Sequence, residues 1–109
     1  MDMEFLLDMS GILDEETLHE YLSKKLNFPG YYGYNFDAFW DCITDEEQSR
    51  MPGHLVVEGL AELKRLLPQQ HSMFVSCLKD YERKFPNRKV TYVEGSRSGE
   101  GIVFEEDNQ

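Results

Sequence analysis

Residues 54–68, HLVVEGLAELKRLLP, contain the change of pattern on which the fold class depends. The apolar centre of His54–Glu58 does not alternate with polar residues, which is typical of a strand buried on both faces. Residues 60–67 then have the apolar spacing of a short helix, and Pro68 stops it. A strand that leads directly into a helix indicates an α/β protein, in which helices cover a sheet.

The same succession of strand and helix extends from this stretch in both directions. The predicted elements are strands at residues 4–8, 54–58 and 90–93, and helices from an Asp14 cap to before Pro29, from an Asn35 cap to about Thr44, over 60–67 and over 69–85. Helical segments separate each strand from the next, which requires parallel pairing through right-handed crossovers. The sequence therefore predicts an α/β fold with a small three-stranded parallel sheet and about four packed helices.

Charge is distributed unevenly along the chain. The formal net charge is −10, yet residues 1–58 hold 13 acidic and 3 basic side chains, whereas residues 59–109 hold 8 of each. Such a surface repels nucleic acid and attracts a basic partner, so direct binding of nucleic acid is not expected. The alternative is that the acidic half serves only solubility.

The length of 109 residues suits one compact domain. We predict a domain over residues 1–95, followed by an acidic tail over 96–109 that is either an added edge strand or a disordered end. No signal or membrane-spanning pattern is present in the sequence, so we expect a cytoplasmic protein without membrane contact. Cys42 and Cys77 lie among apolar neighbours and are expected to be reduced thiols of the core.

Residues 29–42, PGYYGYNFDAFWDC, have an unusual composition. Tyr31, Tyr32 and Tyr34 offer rigid amphipathic surface, and Gly33 permits close backbone approach or a positive φ. Two carboxylates then follow four residues apart on a helix, where like charges repel by roughly 0.2–0.5 kcal/mol. Stability alone does not favour that pair, whereas a partner presenting Arg and Lys does. The helix also has an apolar arc, Phe36, Phe39, Trp40 and Ile43, which is expected to face the core.

This segment resembles the barstar family of ribonuclease inhibitors. The resemblance runs without a gap over residues 18–44, and the residues that carry it are Leu18-His19, Pro29, Tyr31-Tyr32-Gly33, Asn35, Asp37-Ala38 and Trp40-Asp41-Cys42. It implies an α/β fold with a three-stranded parallel sheet, in which the loop and second helix plug the active site of a barnase-like ribonuclease. It also implies a remote acidic contact on the last long helix, for which we prefer Asp80 to Glu82. Tyr34 departs from the family, which has a glutamate there.

The predicted partner-binding residues are Tyr31, Gly33, Tyr34, Asp37, Ala38, Trp40, Asp41, Thr44, Asp45 and Asp80. The predicted partner is a basic ribonuclease or toxin nuclease domain, bound one to one by a chain that is monomeric when free. Two alternatives stay open: an acidic protein-interaction adaptor, and an immunity protein against a toxin that is not a ribonuclease.

An enzyme is not expected, because the two carboxylates have no third catalytic partner in the sequence. His19, His54 and His71 show no spacing typical of metal ligands, and His19 is expected on the solvent side of the first helix. No phosphate loop or nucleophile elbow is present either. We therefore predict no catalytic residue, no metal and no cofactor.

Overall fold

The computed structural model describes residues 4–45 and 51–95. Strands and helices alternate within them, as the sequence pattern predicts. In chain order the elements are β1 (Glu4–Asp8), α1 (Glu15–Leu26), α2 (Phe36–Thr44), β2 (His54–Glu58), α3 (Leu60–Leu66), α4 (Pro68–Lys84) and β3 (Lys89–Tyr92). The predicted tail over 96–109 lies outside the described residues.

The three strands form one parallel sheet with β2 in its centre. Glu4 of β1 and Lys89 of β3 both pair with His54, so the three strands begin at the same level. β2 is buried from Leu55 to its end, as expected for a central strand with both faces covered. The α/β class, the three-stranded parallel sheet and the four helices predicted for this part of the chain are confirmed.

Local signals in the sequence determine where α1 begins and ends. The Asp14 carboxylate accepts a hydrogen bond from the Thr17 amide at 2.8 Å, which caps the helix as predicted. At the other end Asn27 adopts the left-handed conformation, with φ of 59°, and its amide bonds the Ser23 carbonyl. Asn tolerates this conformation better than most residues, so the chain can leave the helix and enter the loop that leads to α2.

The junction of α3 and α4 differs in detail from the sequence prediction. Pro68 does more than stop α3, because it is itself the first residue of α4. Its fixed φ suits a first helical position, and its missing N–H needs no partner there. At the start of α3, Gly59 has φ of 72°, and a Cβ added there would lie 2.6 Å from the Ser10 amide nitrogen. A glycine is therefore required where β2 turns into α3.

One hydrophobic core contains buried side chains from every element. In this core α2 packs against α4, with the rings of Phe39 and Phe74 5.8 Å apart between centroids. Phe36 and Ile43 are buried with Phe39, and Trp40 is half-buried and packs against the same core, so the apolar arc faces the core as predicted. This packing fixes the position of α2, whose outer face holds most of the predicted site. Among the described residues, no helix has the length and apolarity needed to cross a membrane.

The prediction for His19 is wrong: the side chain is 0% exposed instead of facing solvent. Its Nδ1 lies 2.5 Å from the Tyr32 hydroxyl, and its ring meets the edge of Phe36 at 4.7 Å between centroids. The physical reason is that the loop between α1 and α2 folds back over α1 and covers a second side of that helix. Tyr32 is likewise buried, at 7% exposure, so it supports the loop and does not offer contact surface.

Candidate functional site

Asn35 joins the α1–α2 loop to the α2 helix. Its side-chain oxygen accepts a hydrogen bond from the Ala38 amide at 2.7 Å, which caps α2 as predicted. Its side-chain amide donates to the Gly33 carbonyl at 3.1 Å. One side chain thus holds the last turn of the loop and the first turn of the helix in a fixed relation, and the predicted contact residues lie on both sides of it.

The loop presents two tyrosines to solvent. Tyr31 is 74% exposed and Tyr34 is 41% exposed. Tyr34 adopts the left-handed conformation with φ of 56°, which costs a non-glycine residue roughly 1–2 kcal/mol. The sequence had suggested a positive φ at Gly33, but the structure places it at Tyr34. Gly33 is exposed, and an added Cβ there would meet Ala38 and Asn35 only at ordinary contact distance, so nothing within the chain excludes a side chain at this position.

A groove of about 530 Å³ runs along the surface where α2 and α4 meet. Its lining consists of Phe36, Asp37, Trp40, Ser72, Met73, Ser76, Cys77 and Asp80. Two carboxylates from different helices act on the same thiol in this groove: burial, together with the charges of Asp80 and Asp37, raises the pKa of Cys77 to about 12. We call this feature the acidic groove. It brings Asp80 of α4 together with Asp37 and Trp40 of α2, although Asp80 is distant from them in the sequence.

A second and smaller cleft, of about 60 Å³, lies beside the C-terminal half of α2, under the loop. Tyr31, Asp41 and Asp45 line it around the buried Cys42. Burial raises the pKa of the Cys42 thiol, and the charges of Asp41 and Asp45 raise it further. We call this feature the loop cleft. The four predicted carboxylates therefore line two adjacent clefts, and Asp37 and Asp41, one turn apart on α2, connect them.

Comparison with known proteins gives this arrangement a context. The sequence model of one protein family, described as Barstar (barnase inhibitor), matches residues 3–94, which is most of the chain. The chain belongs to the barstar family. A curated protein of Bacillus subtilis (strain 168) named "Putative ribonuclease inhibitor YrdF" is 46% identical over 41 residues. The matched part is 38% of this chain and 45% of that relative, so the chain spans less than half the length of the curated protein that it matches.

The two acids considered for the remote contact of the barstar family lie in different surroundings. Asp80 lines the acidic groove and pairs with Arg83 one turn later on α4. Glu82 accepts a hydrogen bond from the Tyr92 hydroxyl at 2.9 Å and so braces α4 against β3. Of the two acids, Asp80 is the one that shares a groove with Asp37, and its role as a partner contact remains a prediction.

The remaining predicted residues lie next to the acidic groove or the loop cleft, but their side chains differ in availability. Ala38 and Thr44 are half-buried on α2. The Thr44 hydroxyl donates to the Trp40 carbonyl at 2.7 Å, which engages it inside the helix. Asp45 is the C-cap residue of α2 and contributes its amide to the Cys42 carbonyl. All ten predicted residues remain predictions as partner contacts.

Sequence reasoning missed the wall of the acidic groove that α4 supplies in this barstar-family chain. Ser72, Met73 and Ser76 line the groove, and Met73 is half exposed despite its apolar side chain. The signal available was the pair of small polar residues, Ser72 and Ser76, on the side of α4 away from Phe74, Leu78 and Tyr81. Within residues 4–45 and 51–95, no group of three or more His, Cys, Asp and Glu side chains is arranged to hold a metal ion.

Proposed function

We propose that this barstar-family chain inhibits a barnase-like ribonuclease by covering the enzyme's cationic active site with α2 and the preceding loop. Family membership supports an inhibitor role, since the family is described as barnase inhibitor and the matched Bacillus protein is named as a ribonuclease inhibitor. The chain acts as a binding protein and not as an enzyme, and one copy blocks one nuclease.

The observation that carries the proposal is the row of carboxylates that lines two adjacent clefts along α2. Asp37 and Asp80 lie in the acidic groove, and Asp41 and Asp45 lie in the loop cleft. A ribonuclease must hold RNA phosphates with Arg and Lys side chains, and carboxylates at fixed spacing can replace those phosphates through charge-assisted hydrogen bonds. Helix and cap geometry hold the acids in place before binding, which reduces the entropy lost on association.

The tyrosines and Trp40 supply the apolar part of the proposed contact. Tyr31 is largely exposed beside the loop cleft, and Trp40 is half-buried at the acidic groove. Aromatic side chains bury large area at low entropic cost, which favours them at interfaces. The left-handed backbone of Tyr34 fits the same proposal, because strained conformations concentrate where a partner is bound.

The test is a titration of a barnase-like ribonuclease with this chain, with cleavage of a fluorogenic RNA as the readout. We expect inhibition that reaches its end point at one chain per enzyme. The double variant Asp37→Asn/Asp41→Asn should inhibit at least about tenfold more weakly. The matched control is Glu15→Gln/Glu16→Gln, which removes the same charge from exposed positions on the first turn of α1 and should inhibit normally. Full cleavage at saturating chain would contradict the proposal and favour the adaptor alternative.

A further inference from the structure

A second groove of about 490 Å³ lies on the other side of α4, against α3. Its charged lining is basic: Lys64 comes from α3, and Lys79 and Arg83 come from α4, which also contributes His71. We call it the basic groove. It stands out in a chain whose net charge is −10 and whose predicted partner is itself basic.

The basic groove and the acidic groove are neighbours. Ser72 and Ser76 line both of them, and both serines are exposed. A ridge of two small side chains is all that separates a pair of carboxylates from a group of cations. A partner surface that covers the acidic groove and extends past this ridge therefore reaches the basic groove as well.

The cations of the basic groove differ in the contacts that they make within the chain. Arg83 pairs with Asp80, across the ridge, and the Lys79 ammonium lies 4.9 Å from the centroid of the Tyr92 ring. Lys64 is exposed and acts on His71, whose pKa is lowered by burial and by the charge of Lys64, with Glu94 opposing. Lys64 therefore acts on another lining residue of this groove and takes no part in the Asp80–Arg83 pair or in the contact with Tyr92. It is the cation to replace in a test of the groove.

We propose that the basic groove receives an acidic side chain of the target ribonuclease, next to the cations that the acidic groove receives. This inference rests on the proposed function and names a further feature of its partner. On binding, the Asp80–Arg83 pair opens: Asp80 takes a cation of the enzyme, and Arg83 is released toward the carboxylate in the basic groove. An interface with both signs rejects any nuclease that lacks the acidic residue, because the cations are then buried without a partner.

An isolated carboxylate fits this groove better than RNA does. A nucleic acid carries a phosphate charge every few ångströms along its length. A strand that enters the basic groove therefore runs into Asp80 and Asp37 on the other side of the serine ridge. A single acidic side chain on a basic protein meets the three cations and leaves the neighbouring carboxylates to its own Arg and Lys residues.

The experiment compares two charge reversals at adjacent positions of α3, Lys64→Glu and Arg65→Glu. Lys64 lines the basic groove, whereas Arg65 lines a different groove with Ser10 and Glu94. Both side chains are exposed, and both variants change the net charge equally. Inhibition constants are measured with a barnase-like ribonuclease that the wild-type chain inhibits, and urea unfolding verifies that each variant is folded. Lys64→Gln serves as a milder variant if the reversal disturbs folding.

A contact in the basic groove and simple long-range attraction predict opposite changes in inhibition for Lys64→Glu. If only long-range attraction to a basic enzyme matters, both reversals should strengthen inhibition. We expect Lys64→Glu to weaken it about five- to tenfold, and Arg65→Glu to leave it unchanged or strengthen it. We then measure both inhibitor chains against ribonuclease variants that each carry a single Asp→Asn or Glu→Gln change. With one of these enzyme variants, the wild-type chain and Lys64→Glu should have the same inhibition constant.

Three outcomes would overturn the inference. In the first, Lys64→Glu inhibits as well as Arg65→Glu does. In the second, the inhibition constants of the wild-type chain and Lys64→Glu differ equally with every Asp→Asn and Glu→Gln variant of the enzyme. In the third, fluorescence anisotropy detects saturable binding of a labelled single-stranded RNA that Lys64→Glu abolishes, which would assign the groove to RNA. If the wild-type chain inhibits no barnase-like ribonuclease, the proposed function fails and the inference fails with it.

Discussion

Asp41 lies at a position where a carboxylate is unfavourable for the helix that carries it. The α1 and α4 helices each have two basic residues in their last turn, which suits the negative end of the helix dipole. The last turn of α2 has none, and Asp45 caps it. Asp41 therefore faces Asp37, Asp45 and the negative end of the dipole, so the stability of α2 does not favour a carboxylate at this position.

Replacing Asp41 by Ala should separate stability from binding. We expect the free energy of unfolding to stay the same or rise by about 0.5 kcal/mol, because repulsion is relieved and Ala is the better helix former. Inhibition of the ribonuclease should weaken by about 2 kcal/mol, on the order of 30-fold, because charge-assisted hydrogen bonds are lost. Urea unfolding and calorimetric binding of the two proteins measure both effects. Unfolding at clearly lower urea would show that Asp41 has a structural role.

His19 is the residue whose protonation is expected to affect the packing of the α1–α2 loop. Its ring is buried against Tyr32 and Phe36, and its Nε2 has no hydrogen-bond partner among the described residues. Burial lowers the pKa of His19, while the charge of Glu15 opposes that change. Protonation of the folded chain would place a positive charge in the packing between α1 and the loop.

The sign of the resulting pH dependence follows from that lowered pKa. The unfolded chain binds a proton at His19 near pH 6.5, whereas the folded chain binds it only at lower pH. Stability from the neutral ring is therefore complete above pH 6.5 and is lost as pH falls below it. We expect the free energy of unfolding to decrease between about pH 7.5 and about 5.5, and His19→Gln to reduce that slope. His71→Gln should reduce the slope by a separate amount, since burial and the charge of Lys64 lower the pKa of His71 too, and the double variant should show both reductions. An unchanged slope in His19→Gln would contradict the assignment.

At the scale of elements, the loop and α2 form a unit that Asn35 holds together. Asn35 caps α2 through Ala38 and also fixes Gly33 in the loop, while the buried Tyr32 links the loop to α1. The α1 helix has a comparable cap, since Asp14 accepts from Thr17 at 2.8 Å, but that cap touches no residue of the proposed site. The two caps therefore offer a matched comparison.

Asn35→Ala and Asp14→Ala should have similar effects on stability and different effects on inhibition. Each removes one side-chain cap, which costs about 1 kcal/mol of the free energy of unfolding. Asn35→Ala also releases the loop, so its affinity for the ribonuclease should fall severalfold beyond that of Asp14→Ala. Thermal unfolding and inhibition constants of the two variants give the comparison. Equal inhibition by both would show that the cap at Asn35 serves folding alone.

At the scale of the whole molecule, sequence patterns predicted what depends on neighbouring residues. The strands, the caps at Asp14 and Asn35 and the parallel sheet followed from local periodicity and connection rules. What the patterns missed depends on residues that are distant in sequence. The burial of His19 requires the loop to cover α1, and the approach of Asp80 to Asp37 requires α2 to pack on α4.

The separation of charge between the two halves of the chain leads to a prediction about association kinetics. Residues 1–58 hold the whole excess of acidic side chains, and α2 lies within them. Long-range attraction should orient this half toward a basic ribonuclease before contact, which raises the association rate. Salt screens that attraction, because the Debye length falls from about 10 Å at 0.1 M to about 3 Å at 1 M. We expect the association rate to drop at least about tenfold over that range, with a much smaller change in the dissociation rate.

Stopped-flow fluorescence measures both rates, since Trp40 is the single tryptophan of the chain and lines the acidic groove. Asp37→Asn/Asp41→Asn should reduce the salt dependence more than Glu15→Gln/Glu16→Gln does, because only the first pair faces the enzyme. An association rate that is independent of salt would mean that the acidic half serves solubility and not recognition.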